Sequence, residues 1–222
     1  MRDNNQSIIK FDHDNNLKYD DFYISKSNEH VFKLLNIWPK WEKNFLNING
    51  EKFSGKTHLV NIFLKKFKGI NIQSKSLNND IISEIKIHEN IILENLDLNI
   101  NEELLYTLIN IIEQDNKYLI VTSIDPIVNM SFKLEDLRSR SKNFILQSIE
   151  KPDDELIFAL ILKNLSDRQI SLDKKLINYI IKRIGRSYSK IFDFIYKIDE
   201  ISLKKKKSID LKIIKDVLED HN

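Results

Sequence analysis

The residues with the clearest capacity for chemistry are Gly50-Glu51-Lys52-Phe53-Ser54-Gly55-Lys56-Thr57. They form the pattern G-x-x-x-x-G-K-T, and two of the chain's four glycines lie in it. Each residue type has a physical reason to be there. Glycine at Gly50 and Gly55 lets the backbone curl closely around an anion with no Cβ in the way. The N–H groups of such a loop, and of a helix starting at its end, point at negative charge. A lysine at Lys56 reaches the outer phosphates of a nucleotide, and the hydroxyl of Thr57 can sit on Mg²⁺. Phe53, Ser54 and His58 complete the lining of the stretch. An exposed turn with a surface lysine could carry the same letters. Such a turn would not need the flanking context, an apolar run FLNIN (45–49) before the loop and an amphipathic THLVNIFLKKF (57–67) after it.

A phosphate loop of this kind needs a carboxylate at the end of a neighbouring strand to orient the metal. IILENLD supplies Glu94 as the candidate, with Thr57 as its partner on Mg²⁺; Glu94 could also be a plain strand-end charge. In a hydrolytic site the acid is followed by a second acid that polarises water. Here the second position is Asn95, a neutral amide that cannot act as a base. Tight binding with poor self-hydrolysis is therefore expected. The strand YLIVTS ends on Thr122 and Ser123. These are either groups near the outer phosphate or ordinary polar strand ends.

Composition narrows the remaining classes. With 222 residues, 41% hydrophobic and 31% charged, the chain can bury a core in one large or two small domains. The absence of cysteine excludes disulfides and thiolate metal sites. The five histidines show no metal-ligand spacing. A formal charge of +2 is too even for bulk nucleic-acid binding. No signal peptide or 18-residue apolar run is read, so a cytoplasmic protein without a membrane anchor is expected. Five of the six arginines fall within residues 138–186 of an otherwise lysine-based chain. Either a planar fork is wanted at some of them, or they form ordinary salt bridges.

The elements that must position these residues alternate. Apolar runs at 45–49, 69–73, 90–97, 118–123 and 143–149 read as strands. Helical spacing falls at 28–38 (Val31, Leu34, Leu35, Trp38), 57–67, 78–86, 102–115 and 134–140. Alternation predicts an α/β fold with a five-stranded parallel sheet and right-handed crossovers. After Pro152 only helical patterns remain, four of them, ending with DLKIIKDVLED. The organisation read is a polar tail over 1–18, a base domain over 19–149 and an all-helical lid over 150–222. KKKK at 204–207 reads as a solvated helix end or loop.

The order of parts resembles the AAA+ ATPases of the replication initiator DnaA group, and within it the Hda regulators. The segments LEDLRSRS, PDDELIFALILKNLSDRQISLD and RIGRSYSKIFDF carry most of the likeness. The resemblance implies that Arg140 in DLRSRS is an arginine finger acting on a partner's nucleotide, its one catalytic role. It implies that Arg186 is the lid's sensor arginine, and that Tyr23 and Ile24 in YDDFYIS lie beside adenine. The Glu94-Asn95 pair departs from active AAA+ ATPases and is similar to Hda proteins. ADP or ATP with Mg²⁺ is the implied cofactor. A DnaA-type initiator is the implied partner, and a second copy of the chain is a further candidate. No helix-turn-helix domain is read after the lid, so sequence-specific DNA binding is not expected.

Gln6, Ile9 and Phe11 in QSIIKF fit Q-x-x-φ-x-φ and resemble motifs that dock on the bacterial sliding clamp. The same apolar residues could instead add a strand to the base domain. The expected function is regulatory: nucleotide held, clamp bound, ATP hydrolysis by DnaA stimulated and initiation restrained. A self-contained ATPase of the helicase-loader type is the alternative, and steady-state turnover separates the two.

Overall fold

The computed structural model describes residues 22–205 and 209–219. Five parallel strands form one sheet in the order β2-β3-β4-β1-β5: β1 (Phe45–Asn49), β2 (Ile70–Gln73), β3 (Asn90–Leu96), β4 (Tyr118–Ser123) and β5 (Ile145–Ser148). The loop strand β1 is thus flanked by β4 and β5, and the acid strand β3 stands beyond β4. Side chains alternate between two covered faces, as a parallel sheet requires. Leu46, Ile48, Ile92 and Ile120 face α1 (Glu29–Asn36) and α2 (Lys56–Phe67). Phe45, Ile91, Leu93, Leu119 and Val121 face α3 (Asn79–Glu84), α4 (Glu102–Gln114) and α5 (Glu135–Ser141).

Four further helices make the lid: α6 (Asp154–Asp167), α7 (Lys174–Ile181), α8 (Tyr188–Lys205) and α9 (Leu211–Glu219). Its core is built largely from isoleucines, among them Ile157, Ile161, Ile180, Ile191, Ile195, Ile198 and Ile214, all essentially inaccessible. Each such side chain contributes roughly 1.5–3 kcal/mol of burial, which lets a small helical unit hold its own core. Helix starts are set locally. The side chains of Asn78, Asn101, Asp153 and Asp210 accept the N–H of Ile81, Leu104, Leu156 and Ile213, satisfying donors that a helix end leaves unpaired.

Two boundaries differ from the sequence reading. Trp38 is not on α1, which stops at Asn36. Pro39 disfavours helical backbone before it, and the indole packs instead on Phe67 at 4.8 Å and Tyr118 at 5.5 Å. Strand β5 starts only at Ile145, because the N–H groups of Asn143 and Phe144 return to the carbonyls of Arg140 and Ser141 and close the end of α5. Among the described residues, no helix is long and apolar enough to cross a membrane.

Candidate functional site

The phosphate loop joins β1 to α2 at the C-terminal edge of the sheet. Gly50 is anchored by its N–H to the carbonyls of Ser123 and Ile124 at 3.2 and 3.1 Å. Gly55 has φ 95°, left-handed backbone that a Cβ would strain, and an added Cβ would stand 3.2 Å from the Phe22 ring. Phe53 also adopts positive φ, 67°, an outlier for a bulky residue. No side chain caps α2, so its first N–H groups remain turned toward the loop. Lys56 is buried and donates to the carbonyls of Gly50 and Glu51 at 2.6 and 2.9 Å. Burial pulls its ammonium down to about 8, against the charges of Glu51 and Glu94. The Ser54 hydroxyl is buried without a partner in the same concavity. A buried lysine, an uncapped helix start and an orphan hydroxyl are what an anion cradle needs.

Glu94 lies across from this loop, 1% exposed. One carboxylate oxygen accepts from the Thr57 hydroxyl and the other from the Asn71 side-chain amide, both at 2.6 Å. Its pairing with Thr57 brings the two expected metal ligands together. Asn95, one residue on, breaks the β3–β4 register and takes φ 59°. Its N–H goes to the Thr122 hydroxyl at 3.0 Å, its carbonyl accepts from Ser74 at 2.7 Å, and its amide donates to Gln73 at 2.8 Å. The side chain is thereby turned toward the edge strand β2. Of the two readings for the β4 end, both hydroxyls here serve structure. Thr122 holds the Asn95 backbone. Ser123 donates to the Asp125 carbonyl and accepts from the fully buried Asn47.

The lid reaches the loop through Glu51. Its carboxylate accepts the N–H of Tyr188 at 3.0 Å and of Ser189 at 3.1 Å, and the hydroxyl of Ser187. Burial pushes this carboxyl up, but those donors outweigh burial and leave it below its ordinary value. Phe53 packs on Phe192 of α8 at 5.0 Å. Arg186, just before α8, is exposed and donates to Asp154 at 2.7 Å.

The remaining sequence-derived residues are placed as follows. His58 is buried, 5.1 Å from Phe22 in an edge-to-face pair. Tyr23 and Ile24 are exposed on the strip that follows Phe22. Arg140 is on α5, bonded to Glu113 and 5.2 Å above the Tyr106 ring. The Glu113 hydrogen bond holds the guanidinium pKa above its ordinary value. Arg138 pairs with Glu135, Arg168 with Asp199, and Arg183 stacks on Tyr179, so the arginine cluster is largely one of ordinary local contacts. Gln6, Ile9 and Phe11 lie outside the described residues. Sequence reasoning missed Glu51, Asn71 and Phe22. An acid inside a phosphate loop was a readable anomaly for Glu51, whereas Asn71 carried no local signal.

Comparison with known proteins agrees with this geometry. Residues 153–218 match the family model for the lid domain of Hda. The DnaA initiator of Caldanaerobacter subterraneus subsp. tengcongensis is 24% identical over 229 residues, covering 91% of this chain and 52% of that protein. The chain spans about half the length of the curated DnaA relatives it matches. Domain III of Thermotoga maritima DnaA superposes with a TM-score of 0.73 at 19% identity, covering 92% of this chain and 96% of that one. AMPPCP-bound DnaA from Aquifex aeolicus gives 0.68 at 19%, covering 88% and 68%. The chain thus carries an Hda-type lid over residues 153–218 and shares the fold of DnaA domain III.

Proposed function

We propose that this protein is a nucleotide-holding regulator that acts on a DnaA-type initiator and is brought to DNA by the sliding clamp. The observation that carries the reading is Asn95. It stands where a hydrolytic site has an acid, it cannot take a proton from water, and its amide is bonded to Gln73, away from the loop. A site built to cradle phosphates yet lacking a base suits a protein that holds nucleotide as a structural element. Its chemistry would then be directed at a partner.

The residues present fit ADP or ATP. Lys56, the loop N–H groups and the start of α2 would hold the phosphates, Phe22, Tyr23 and Ile24 would border the base, and Arg186 would approach from the lid. Thr57 and Glu94 would hold Mg²⁺, which neutralises phosphate charge when bound. Thr57 would turn its hydroxyl proton away from Glu94 to offer oxygen to the ion. Arg140 would act in trans on nucleotide held by the initiator, and Gln6, Ile9 and Phe11 would engage the clamp.

The test is a reconstituted reaction with initiator, clamp loaded on DNA, and this protein. Loss of ATP from the initiator should accelerate only when all three are present, while the protein alone turns ATP over very slowly. Fast turnover by the isolated protein would overturn the reading.

A further inference from the structure

Glu94 is nearly inaccessible, and a buried carboxylate is costly unless hydrogen bonds replace water. It has two such partners. Thr57 belongs to the loop and would have to release its bond to serve as a metal ligand. Asn71 then becomes the one donor described for Glu94 that stays in place in either state. Asn71 sits on the edge strand β2, 23 residues before Glu94, and donates at 2.6 Å to the oxygen that Thr57 does not use. An amide can only donate through its nitrogen, so it fixes which carboxylate oxygen is turned inward. The β2–β3 register puts Gln73 opposite Glu94 and Asn71 opposite Ile92. The Asn71 amide therefore reaches diagonally along the strand face to the carboxylate. Asn71 itself is exposed, so no core packing explains an amide spent on a buried acid.

We propose that Asn71 is a positioning residue for the metal site. It aims the free oxygen of Glu94 at the ion and holds the carboxylate in place while Thr57 changes partner. The inference rests on the proposed nucleotide and Mg²⁺ site. Loss of a partner behind a metal ligand typically lowers metal affinity about 10- to 100-fold.

The experiment titrates the full chain with mant-ADP in Mg²⁺ and in EDTA, for wild type, Asn71→Leu, Glu94→Gln and the double variant. Leucine matches asparagine in shape and removes the donor. Asn71→Leu should leave the EDTA affinity unchanged and reduce the gain from Mg²⁺ about tenfold or more. In the Glu94→Gln background it should add no further loss, because it acts through that carboxylate. An undiminished Mg²⁺ gain in Asn71→Leu, or equal losses with and without Mg²⁺, would overturn the proposal alone. Wild type that binds no mant-ADP under either condition would overturn the proposed function together with it.

Discussion

The carboxylate of Glu51, in the phosphate loop, accepts the backbone N–H of Tyr188 at the start of lid helix α8, 3.0 Å away. With Ser187 and Ser189 it forms a helix cap supplied from 136 to 138 residues earlier in the chain. The same residue's carbonyl accepts from Lys56. One residue thus touches both the lysine that would hold phosphate and the helix that carries the lid.

Removing this cap should loosen the lid. Glu51→Ala is expected to cost about 1 kcal/mol, the ordinary value of a lost helix cap. That corresponds to roughly 2–4 °C in melting temperature for a chain of this size. Burial raises the Glu51 carboxyl, but hydrogen bonds from Ser187, Ser189 and Tyr188 hold it below its ordinary value of 4.5 in the folded chain. Its contribution is therefore complete above that value and fades as pH falls through the lower folded value. Melting curves of wild type and Glu51→Ala should differ near neutrality and converge in acid. A constant difference across pH would contradict the cap.

Lys56 gives a second pH dependence of the same sign, in the alkaline range. Burial pulls its ammonium down to about 8 in the folded chain, from an ordinary value of 10.5. Between those values the unfolded state holds more protons, so stability should rise with pH across that window. Phosphates favour the charged lysine. Nucleotide binding above about pH 8 should then take up a proton, and affinity should fall as pH rises further. Calorimetry in buffers of different ionisation enthalpy reads that proton directly. Lys56→Ala should abolish both the uptake and the thermal stabilisation by nucleotide.

Arg140 is held on its own domain by Glu113 and Tyr106. Glu102 accepts the N–H groups of Lys133 and Leu134 at 3.0 and 2.8 Å, fixing the segment that leads into its helix. Arg140→Ala should keep nucleotide binding and melt within about 1 kcal/mol of wild type, since partly exposed ion pairs contribute little. It should lose initiator stimulation by ~10³ or more, the range of arginine fingers. Arg140→Lys should lose most of it too, because a point charge does not bridge two oxygens. Arg138→Ala should stimulate normally. ATP remaining on the initiator is the quantity to follow.

The tail motif is tested separately. Gln6→Ala combined with Phe11→Ala should abolish capture by immobilised sliding clamp while leaving melting temperature and nucleotide affinity unchanged. Clamp capture by the doubly substituted protein would show that the motif is not the contact.

What the sequence determined alone is everything carried by local spacing. G-x-x-x-x-G-K-T between an apolar strand and an amphipathic helix is legible without a structure, because the whole pattern lies within eight positions and its strand–loop–helix context is local. Strand and helix periods gave the five strands, and the change of pattern at Pro152 is matched by helices alone after it among the described residues. Glu94 and Asn95 stand out for the same reason, as an acid and an amide at the end of an apolar strand. The tertiary structure decided what those residues do to one another. Sheet order β2-β3-β4-β1-β5 puts Asn71 and Gln73 beside the acid strand, and no local period encodes strand order. The left-handed backbone of Asn95 is bound by Thr122 from β4 and by Gln73 and Ser74 at the end of β2, two other segments of the chain. The Glu51 cap on α8 and the Glu113 contact to Arg140 join residues 136–138 and 27 positions apart. Contacts of that range depend on how the elements pack, and only the folded chain specifies it.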